Sequence, residues 1–338
     1  MRMYNVAVVG IGAVGSEMLN VLQERKFPAR NIRVLARRAR TEKIGGVAYE
    51  VEPTTPEAFD EVDIAFFAGT EGAKGASQQY GWEAVGRETM VIDNGDDFRM
   101  DDRVPLVVPE VNPEHLRRHQ GFVANPNCST IQMVVALAPL HREAKMRRIV
   151  VSTYQAVSGT GREAISELRA QTEEILQGKP VNPEVYPYQI AFNLIPQISS
   201  LKEEFPCYYG EEIKMIKETR KILDAPDLAV SATCVRVPIF NGHSEAINVQ
   251  FERKLSVDQA REILRAAPGV EVIDDPGESQ YPTPLYASGK DPIYVGRLRE
   301  DPSTENGLDL FVVGDNIRKG AALNAIQSAE WMIEMGLI

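Results

Sequence analysis

At 338 residues the chain is long enough for two domains with separate cores, and 43% hydrophobic with 25% charged residues describes an ordinary globular protein. A formal charge of -11 excludes a nucleic-acid partner, which needs a basic face for phosphates, while leaving room for local basic sites that take small anions. Cys128, Cys207 and Cys234 are too few and too scattered for a disulfide framework, there is no CxxC to suggest zinc, and neither a signal peptide nor an apolar stretch of about 18 residues is visible, so the expectation is a reduced, cytoplasmic enzyme without metal or membrane contact.

In chain order, YNVAVVG reads as a buried strand and SEMLNVLQERK as an amphipathic helix. Buried strands follow at 32–36, 62–69, 90–94, 105–110 and 121–125, several separated by helical stretches. This alternation predicts an α/β fold, a Rossmann-type doubly wound parallel sheet over residues 1–127. TIQMVVALAPL is long and apolar enough for a buried helix, which Ser129 or Thr130 could cap. The texture then changes. Residues 148–159 form a β-branched strand ending in a Gly-rich turn, 161–178 and 211–223 are helical, and the Pro-rich VNPEVYPYQIAFNLIP between them is irregular. Runs at 230–240 and 245–254 alternate like strands of a half-exposed sheet, and 308–316 is another strand. A final amphipathic helix returns to the first domain. The expected division is 1–127 with 317–338 for dinucleotide binding, and an α+β catalytic and dimerisation domain over 128–316.

GIGAVG, with Gly10, Gly12 and Gly15 around Ala13 and Val14, has the GxGxxG spacing and lies between a strand and a helix. Glycines let the backbone approach a pyrophosphate, and the helix N-terminus favours its charge. The second strand ends in LARRAR. It offers Arg37, Arg38 and Arg40 and no acid before Glu42, which suits a ribose 2′-phosphate and so NADP(H). A solvated basic turn is the plainer alternative.

NPNCST places Cys128 between polar residues immediately before the apolar run. A thiol has a pKa of about 8.5, which a helix N-terminus lowers, so this junction suits a nucleophile as well as it suits a buried structural cysteine. A cysteine nucleophile with a nicotinamide cofactor points to aldehyde oxidation through a thioester, which needs an acid/base group. Of the four histidines, His115 and His119 in PEHLRRHQ share one helix face without a third metal ligand, and His141 ends a helix. His243, in the polar turn FNGHSEA between two strands, is best placed to face a cleft.

NPNCSTIQ (125–132), STYQAVSGTG (152–161), EEIKMIKETRKIL (211–223), CVRVPIFNGHSEA (234–246), YPTPLYASGKDPIYVGRLRED (281–301) and DNIRKGAALNA (315–325) stand in an order that resembles the aspartate-β-semialdehyde dehydrogenase family along essentially the whole chain. The resemblance implies Cys128 as nucleophile, His243 as acid/base partner and Gln155 as the residue orienting substrate and acyl intermediate. It implies Asn127 lining the same site, Arg236 on the substrate α-carboxylate and Glu211 on the α-ammonium. Lys214 and Arg99 are implied for phosphate, and Ser158, Gly159 and Asn316 for the nicotinamide side. The implied activity is that of a phosphorylating aldehyde dehydrogenase. It makes aspartate semialdehyde from β-aspartyl phosphate with NADPH, releases inorganic phosphate, serves lysine, methionine and threonine synthesis, and works as a homodimer or homotetramer.

Departures fall in the cofactor half. GIGAVG is one residue shorter than the family's GATGAVG-type turn, LARRAR replaces a Ser-Arg-Ser type end, and AGTEGAKG stands for the turn after the third strand. DNGDDFRM adds Asp96 and Asp97 beside Arg99, where negative charge opposes an incoming anion. Three rivals remain. An N-acetyl-γ-glutamyl-phosphate reductase would not need Glu211 for a free amine, a glycolytic-type phosphorylating dehydrogenase fits the motifs poorly, and a non-catalytic nucleotide-binding paralogue would be expected to lose Cys128, Gln155 or His243.

Overall fold

Alternating buried strands and helices build a seven-stranded sheet from the first part of the chain in the computed structural model, which describes residues 2–69 and 75–338. The strands are β1 (Tyr4–Val9), β2 (Ala29–Ala36), β3 (Arg40–Ile44), β4 (Val47–Pro53), β5 (Ile64–Phe67), β6 (Met90–Asp93) and β7 (Phe122–Ala124), in the order β3-β4-β2-β1-β5-β6-β7. All neighbours are parallel except β3 with β4. Helices α1 (Ala13–Glu24) and α2 (Trp82–Gly86) belong to this unit, which comprises Met1–Asn127 and Gly320–Ile338. The chain returns to it through α8 (Leu323–Glu334), whose Leu323, Ile326 and Met332 enter the same core as Val6, Val8, Met18 and Leu22.

Three readings of this half need correcting. Residues 105–110 contribute one isolated bridge, Leu106 to Ala124, and no strand. Pro105 and Pro109 have no N–H to donate, so a ladder cannot extend there. PEHLRRHQ is a tight three-residue-per-turn helix over Pro113–Arg118 that ends before His119. The two histidines therefore share no helix face: His115 Nδ1 meets the Asn112 amide at 3.0 Å, and His119 Nδ1 accepts from the Gly121 N–H at 3.1 Å. The β3–β4 hairpin was not expected, although Gly45-Gly46 between two alternating runs is a hairpin signal and both glycines have positive φ (56° and 85°). Part of AGTEGAKG, Thr70 to Lys74, lies outside the described residues.

The second unit, Cys128–Lys319, holds a six-stranded sheet. Its strands are β8 (Met146–Gln155), β9 (Ala229–Arg236), β10 (His243–Phe251), β11 (Val270–Val272), β12 (Ile293–Glu300) and β13 (Gly307–Gly314), in the order β11-β12-β13-β10-β8-β9. The helices are α3 (Cys128–Ala144), α4 (Arg162–Leu176), α5 (Gly210–Ile222), α6 (Val257–Ala266) and α7 (Pro284–Ala287). The apolar α3 is buried on nearly every side, packed on β8, β10, β12 and β13 and against α5 and α6. It begins at Cys128 itself. Ser129 and Thr130 are thus buried inside its first turn and are not the caps expected of them.

The Pro-rich passage is irregular but has a fixed path, because α4 supplies acceptors for its backbone. Glu167 Oε2 accepts from the N–H groups of Glu184 (2.9 Å) and Val185 (2.5 Å), and Gln171 Oε1 from those of Ile190 (2.9 Å) and Ala191 (3.1 Å). Among the described residues no helix is long and apolar enough to cross a membrane.

Candidate active site

The ends of β8, β9 and β10 gather three of the expected side chains in the second unit. Gln155 closes β8, Arg236 closes β9 directly beside it in parallel register, and His243 opens the antiparallel β10. All three are buried. His243 was expected in a polar turn; it is instead the first residue of a strand and fully enclosed, so its orientation is set by the sheet. Its Nδ1 accepts from the Ala156 N–H at 3.0 Å, which places the proton of the neutral ring on Nε2. Burial first, and the Arg236 charge second, hold the imidazole pKa well below its ordinary value. His243 is therefore a neutral N–H donor at working pH.

Arg236 donates to the Ala156 carbonyl at 2.7 Å, and its guanidinium lies 6.0 Å from the centre of the Tyr186 ring. Tyr186 bonds Thr160 through its hydroxyl. The sequence did not single it out; the α4-bound path of residues 184–191 brings it here. Gly159 completes the corner. A Cβ there would lie 3.1 Å from Arg236 Nη1 and 3.2 Å from His243 Nε2, so a side chain at this position would crowd both groups.

Gln155 Nε2 donates to Glu211 Oε1 at 3.0 Å, and Thr153 donates to Gln155 Oε1 at 3.0 Å. The Gln155 amide is thus oriented from both ends. Glu211 lies in the first turn of α5, with Lys214 Nζ at 4.0 Å, and its burial separates this pair from an ordinary solvated helix pair. Ser158 and Asn316 bond each other, the Asn316 amide donating to Ser158 Oγ at 2.9 Å while its oxygen accepts from the Gly242 N–H at 3.0 Å. Asn241 ties this group to Asp315 at 2.7 Å. Neither Asn241 nor Asp315 was singled out, although both adjoin residues that were. Cys128, half-buried at the start of α3, belongs to the same unit; Asn127 and Arg99, both buried, belong to the first. Cys234 is a core thiol, its pKa pushed well up by burial and then by Glu211.

The first unit shows why the glycine turn has its spacing. Gly10 takes φ 93°, and a Cβ on Gly15 would lie 1.8 Å from the Gly10 carbonyl oxygen, while around Gly12 there is open space. Ala13 and Val14 open α1, whose first turn carries no acid. Beside the turn, Val9, Gly10, Ala36, Arg37, Thr54 and Tyr80 line a cavity of about 280 Å³. These residues fit a dinucleotide whose pyrophosphate lies at the α1 N-terminus. Arg37 borders the cavity and Arg38 does not; Arg40 pairs with Glu42 at 2.9 Å.

Asp93, at the end of β6, anchors DNGDDFRM. Its Oδ1 accepts from the Gly95 N–H (2.9 Å) and the Ser77 hydroxyl (2.9 Å), and Oδ2 is buried without a hydrogen-bond partner. Burial pushes this carboxyl up to about 6 despite both bonds and the Arg99 charge. Between about pH 4 and about 6 the native chain keeps a proton that the unfolded chain has lost, so stability falls as pH rises through that window and the deficit is constant above it. Asn keeps the accepting Oδ1, so Asp93→Asn should gain about 3 kcal/mol at most over the wild type at pH 8 and far less at pH 4. Paired thermal melts at the two values check this, and equal differences at both would contradict it.

Comparison with known proteins follows the same two units. Residues 5–119 match the family model for the semialdehyde dehydrogenase NAD binding domain, and residues 137–319 that for the semialdehyde dehydrogenase dimerisation domain. The chain is 47% identical to an aspartate-semialdehyde dehydrogenase of Aquifex aeolicus, over 99% of each chain. It is 46% identical to one of Bacillus subtilis, over 100% of this chain and 99% of that one. It also resembles crystal structures of aspartate semialdehyde dehydrogenase II from Vibrio cholerae. One has 42% identity, a TM-score of 0.93 and coverage of 98% and 99%; the other, complexed with ASA, has 41% identity, a TM-score of 0.93 and 99% coverage of each chain. Identity of this extent over both units, together with a buried Arg–Gln–His row on one sheet, leaves a single conclusion: the chain belongs to the aspartate-semialdehyde dehydrogenase family.

Proposed function

We propose that this chain reduces L-4-aspartyl phosphate to L-aspartate 4-semialdehyde with NADPH, supplying lysine, methionine and threonine synthesis in the cytoplasm. The observation that carries the reading is the convergence of Arg236, Gln155, His243 and Glu211 in the unit whose helix α3 begins at Cys128. Arg236 grips the α-carboxylate with its planar fork, and Glu211 takes the α-ammonium. Gln155, held between Thr153 and Glu211, orients the acyl group. The Cys128 thiolate attacks the acyl phosphate carbon, the C–O bond to phosphate breaks, and a thioester remains on Sγ. Lys214 takes phosphate oxygens, and the same role is proposed for Arg99. A bound nicotinamide supplies the hydride that reduces the thioester carbon. His243 Nε2–H donates to the oxyanion of the resulting thiohemiacetal, which collapses to aldehyde as Cys128 leaves as thiolate.

Gly10, Gly12 and Gly15 admit the pyrophosphate, with Ala13 and Val14 at the helix N-terminus. Arg37, at the cavity edge, takes the ribose 2′-phosphate, with Arg38 in support. Ser158, Gly159 and Asn316 serve the nicotinamide side. Self-association as a homodimer or homotetramer through the second unit is part of the proposal, supported by the match of residues 137–319 to a dimerisation domain.

The test is cofactor reduction with L-aspartate semialdehyde, with and without phosphate, run in parallel with NADP and NAD. Phosphate-dependent turnover that prefers NADP is the expected result. Turnover with NAD alone would keep the chemistry and remove Arg37 from its role. Absence of turnover with either, but activity on N-acetylglutamate semialdehyde, would move the assignment to the acylated substrate.

A further inference from the structure

Glu245 is fully buried on β10, two residues from His243 and therefore on the same face of the strand. It stands opposite Thr153 of β8 and Val312 of β13, and α3 packs on these strands. The side chain it interacts with is Gln132 of α3. Gln132 is four residues beyond Cys128, so the two share one face of the helix. It also reaches the neighbour of His243. Gly314 is the register partner of His243, and a Cβ on Gly314 would come within 3.1 Å of Gln132 Oε1. Gln132 thus sits where α3 meets β10 and β13, one helical turn beyond Cys128.

Nothing in the reaction uses Glu245 or Gln132. Both Glu245 oxygens and both polar atoms of Gln132 are buried without a well-aligned hydrogen bond, and Gln132 is the side chain whose polar influence reaches the Glu245 carboxyl. Burial raises the Glu245 carboxyl well above its ordinary pKa, and Gln132 lowers it by less, so burial favours the neutral acid. A neutral carboxyl and a primary amide can each donate once and accept once, which permits one face-to-face alignment. Apolar side chains of the same volume would fill the space without the desolvation cost that two buried polar groups impose. Stability therefore does not account for the pair, whereas alignment does, because apolar contacts permit a helix to slide and a reciprocal polar pair does not.

We propose that Glu245 and Gln132 are positioning residues that fix the register of α3 on β10 and so present Cys128 to His243. This rests on the reading of Cys128 and His243 as the reacting pair.

The experiment uses the full-length enzyme carrying Glu245→Gln, Glu245→Met or Gln132→Met. Tm, kcat, KM and the rate of Cys128 alkylation by iodoacetamide, followed on the Cys128 peptide, are measured for each. Each single methionine variant leaves one polar group buried without its partner and should lower Tm, whereas the double methionine variant should hold or raise it; in all three kcat should fall about tenfold to a hundredfold, with KM within about twofold, because a displacement near 1 Å has that effect on a reacting pair. Alkylation of Cys128 should change with kcat. Glu245→Gln, which preserves a reciprocal amide pair, should restore kcat to within about threefold, and the double methionine variant should lose little beyond either single one. Wild-type kcat in a folded methionine variant overturns the proposal. So does an equal loss in Glu245→Gln, and so does failure of both methionine variants to fold, which would make the pair a requirement of folding. Failure of the underlying reading is distinct: Cys128→Ala would then retain turnover whatever the Glu245 variants do.

Discussion

Replacement of Cys128 by alanine is expected to lower turnover by roughly 10⁴-fold or more, the order seen when a covalent nucleophile is removed, with nucleotide affinity unchanged. The loss is large because no other thiol can substitute. Cys234 is a buried core residue whose thiol resists ionisation, and Cys207 is exposed in the irregular segment that precedes α5. Cys128 alone stands in the first turn of a helix, where unpaired backbone N–H groups favour an anion. Nucleotide affinity should persist because Gly10, Gly12, Gly15 and Arg37 belong to the other unit. Steady-state kinetics and calorimetric titration with NADP check both halves of the expectation. Substantial turnover in the alanine variant would exclude a thioester on this residue.

His243→Ala should lower kcat by roughly 10²- to 10⁴-fold, the range for a positioned acid/base group, with a smaller effect on KM. Donation from the Ala156 N–H to Nδ1 leaves Nε2 as the protonated nitrogen, and glycine at 159 spares it a crowding side chain. The imidazole is thereby a donor suited to an oxyanion in its resting tautomer. The depressed pKa gives this prediction a second arm. Between pH 7 and 6 the wild-type kcat should show no loss attributable to imidazole protonation, since the native ring stays neutral well below its ordinary value. The same shift has a stability consequence of definite sign. An unfolded histidine gains its proton near pH 6.5 and the native one does not, so this residue contributes a loss of stability as pH falls below about 6.5. An acidic limb near pH 6.5 in the wild type, abolished in His243→Ala, would contradict the assigned tautomer.

Much of this architecture is legible before any coordinates. The glycine turn, the alternation of strands and helices in the first half and the buried apolar helix after Cys128 are local patterns with local causes, namely close backbone approach, burial on both sheet faces and helix-length apolar runs. The misreadings have local causes too. Residues 105–110 have the composition of a strand, yet two prolines deny it a ladder, and Ser129 and Thr130 have the chemistry of caps in a helix that has already begun. The cluster of Arg236, Gln155 and His243 is a different matter. These residues come from three strands far apart in sequence; His243 stood out by its polar setting, whereas Arg236 and Gln155 were interpretable only through the motifs around them.

What the sequence by itself determined is the inventory: one cysteine at a helix start, a nucleotide turn without a neighbouring acid, and motifs in the order of one family. What only the tertiary structure decided is the state of each group. A histidine expected in a polar turn is sealed into a strand with its tautomer dictated by a backbone amide, an ordinary Glu–Lys helix pair is buried against Gln155, and Glu245, unremarked in its motif, is fully buried with its carboxyl pKa pushed well up. The reason is physical. Burial, register and hydrogen-bond partners are properties of segments brought together by the sheet, and these set protonation and orientation, whereas residue type sets only what chemistry is available.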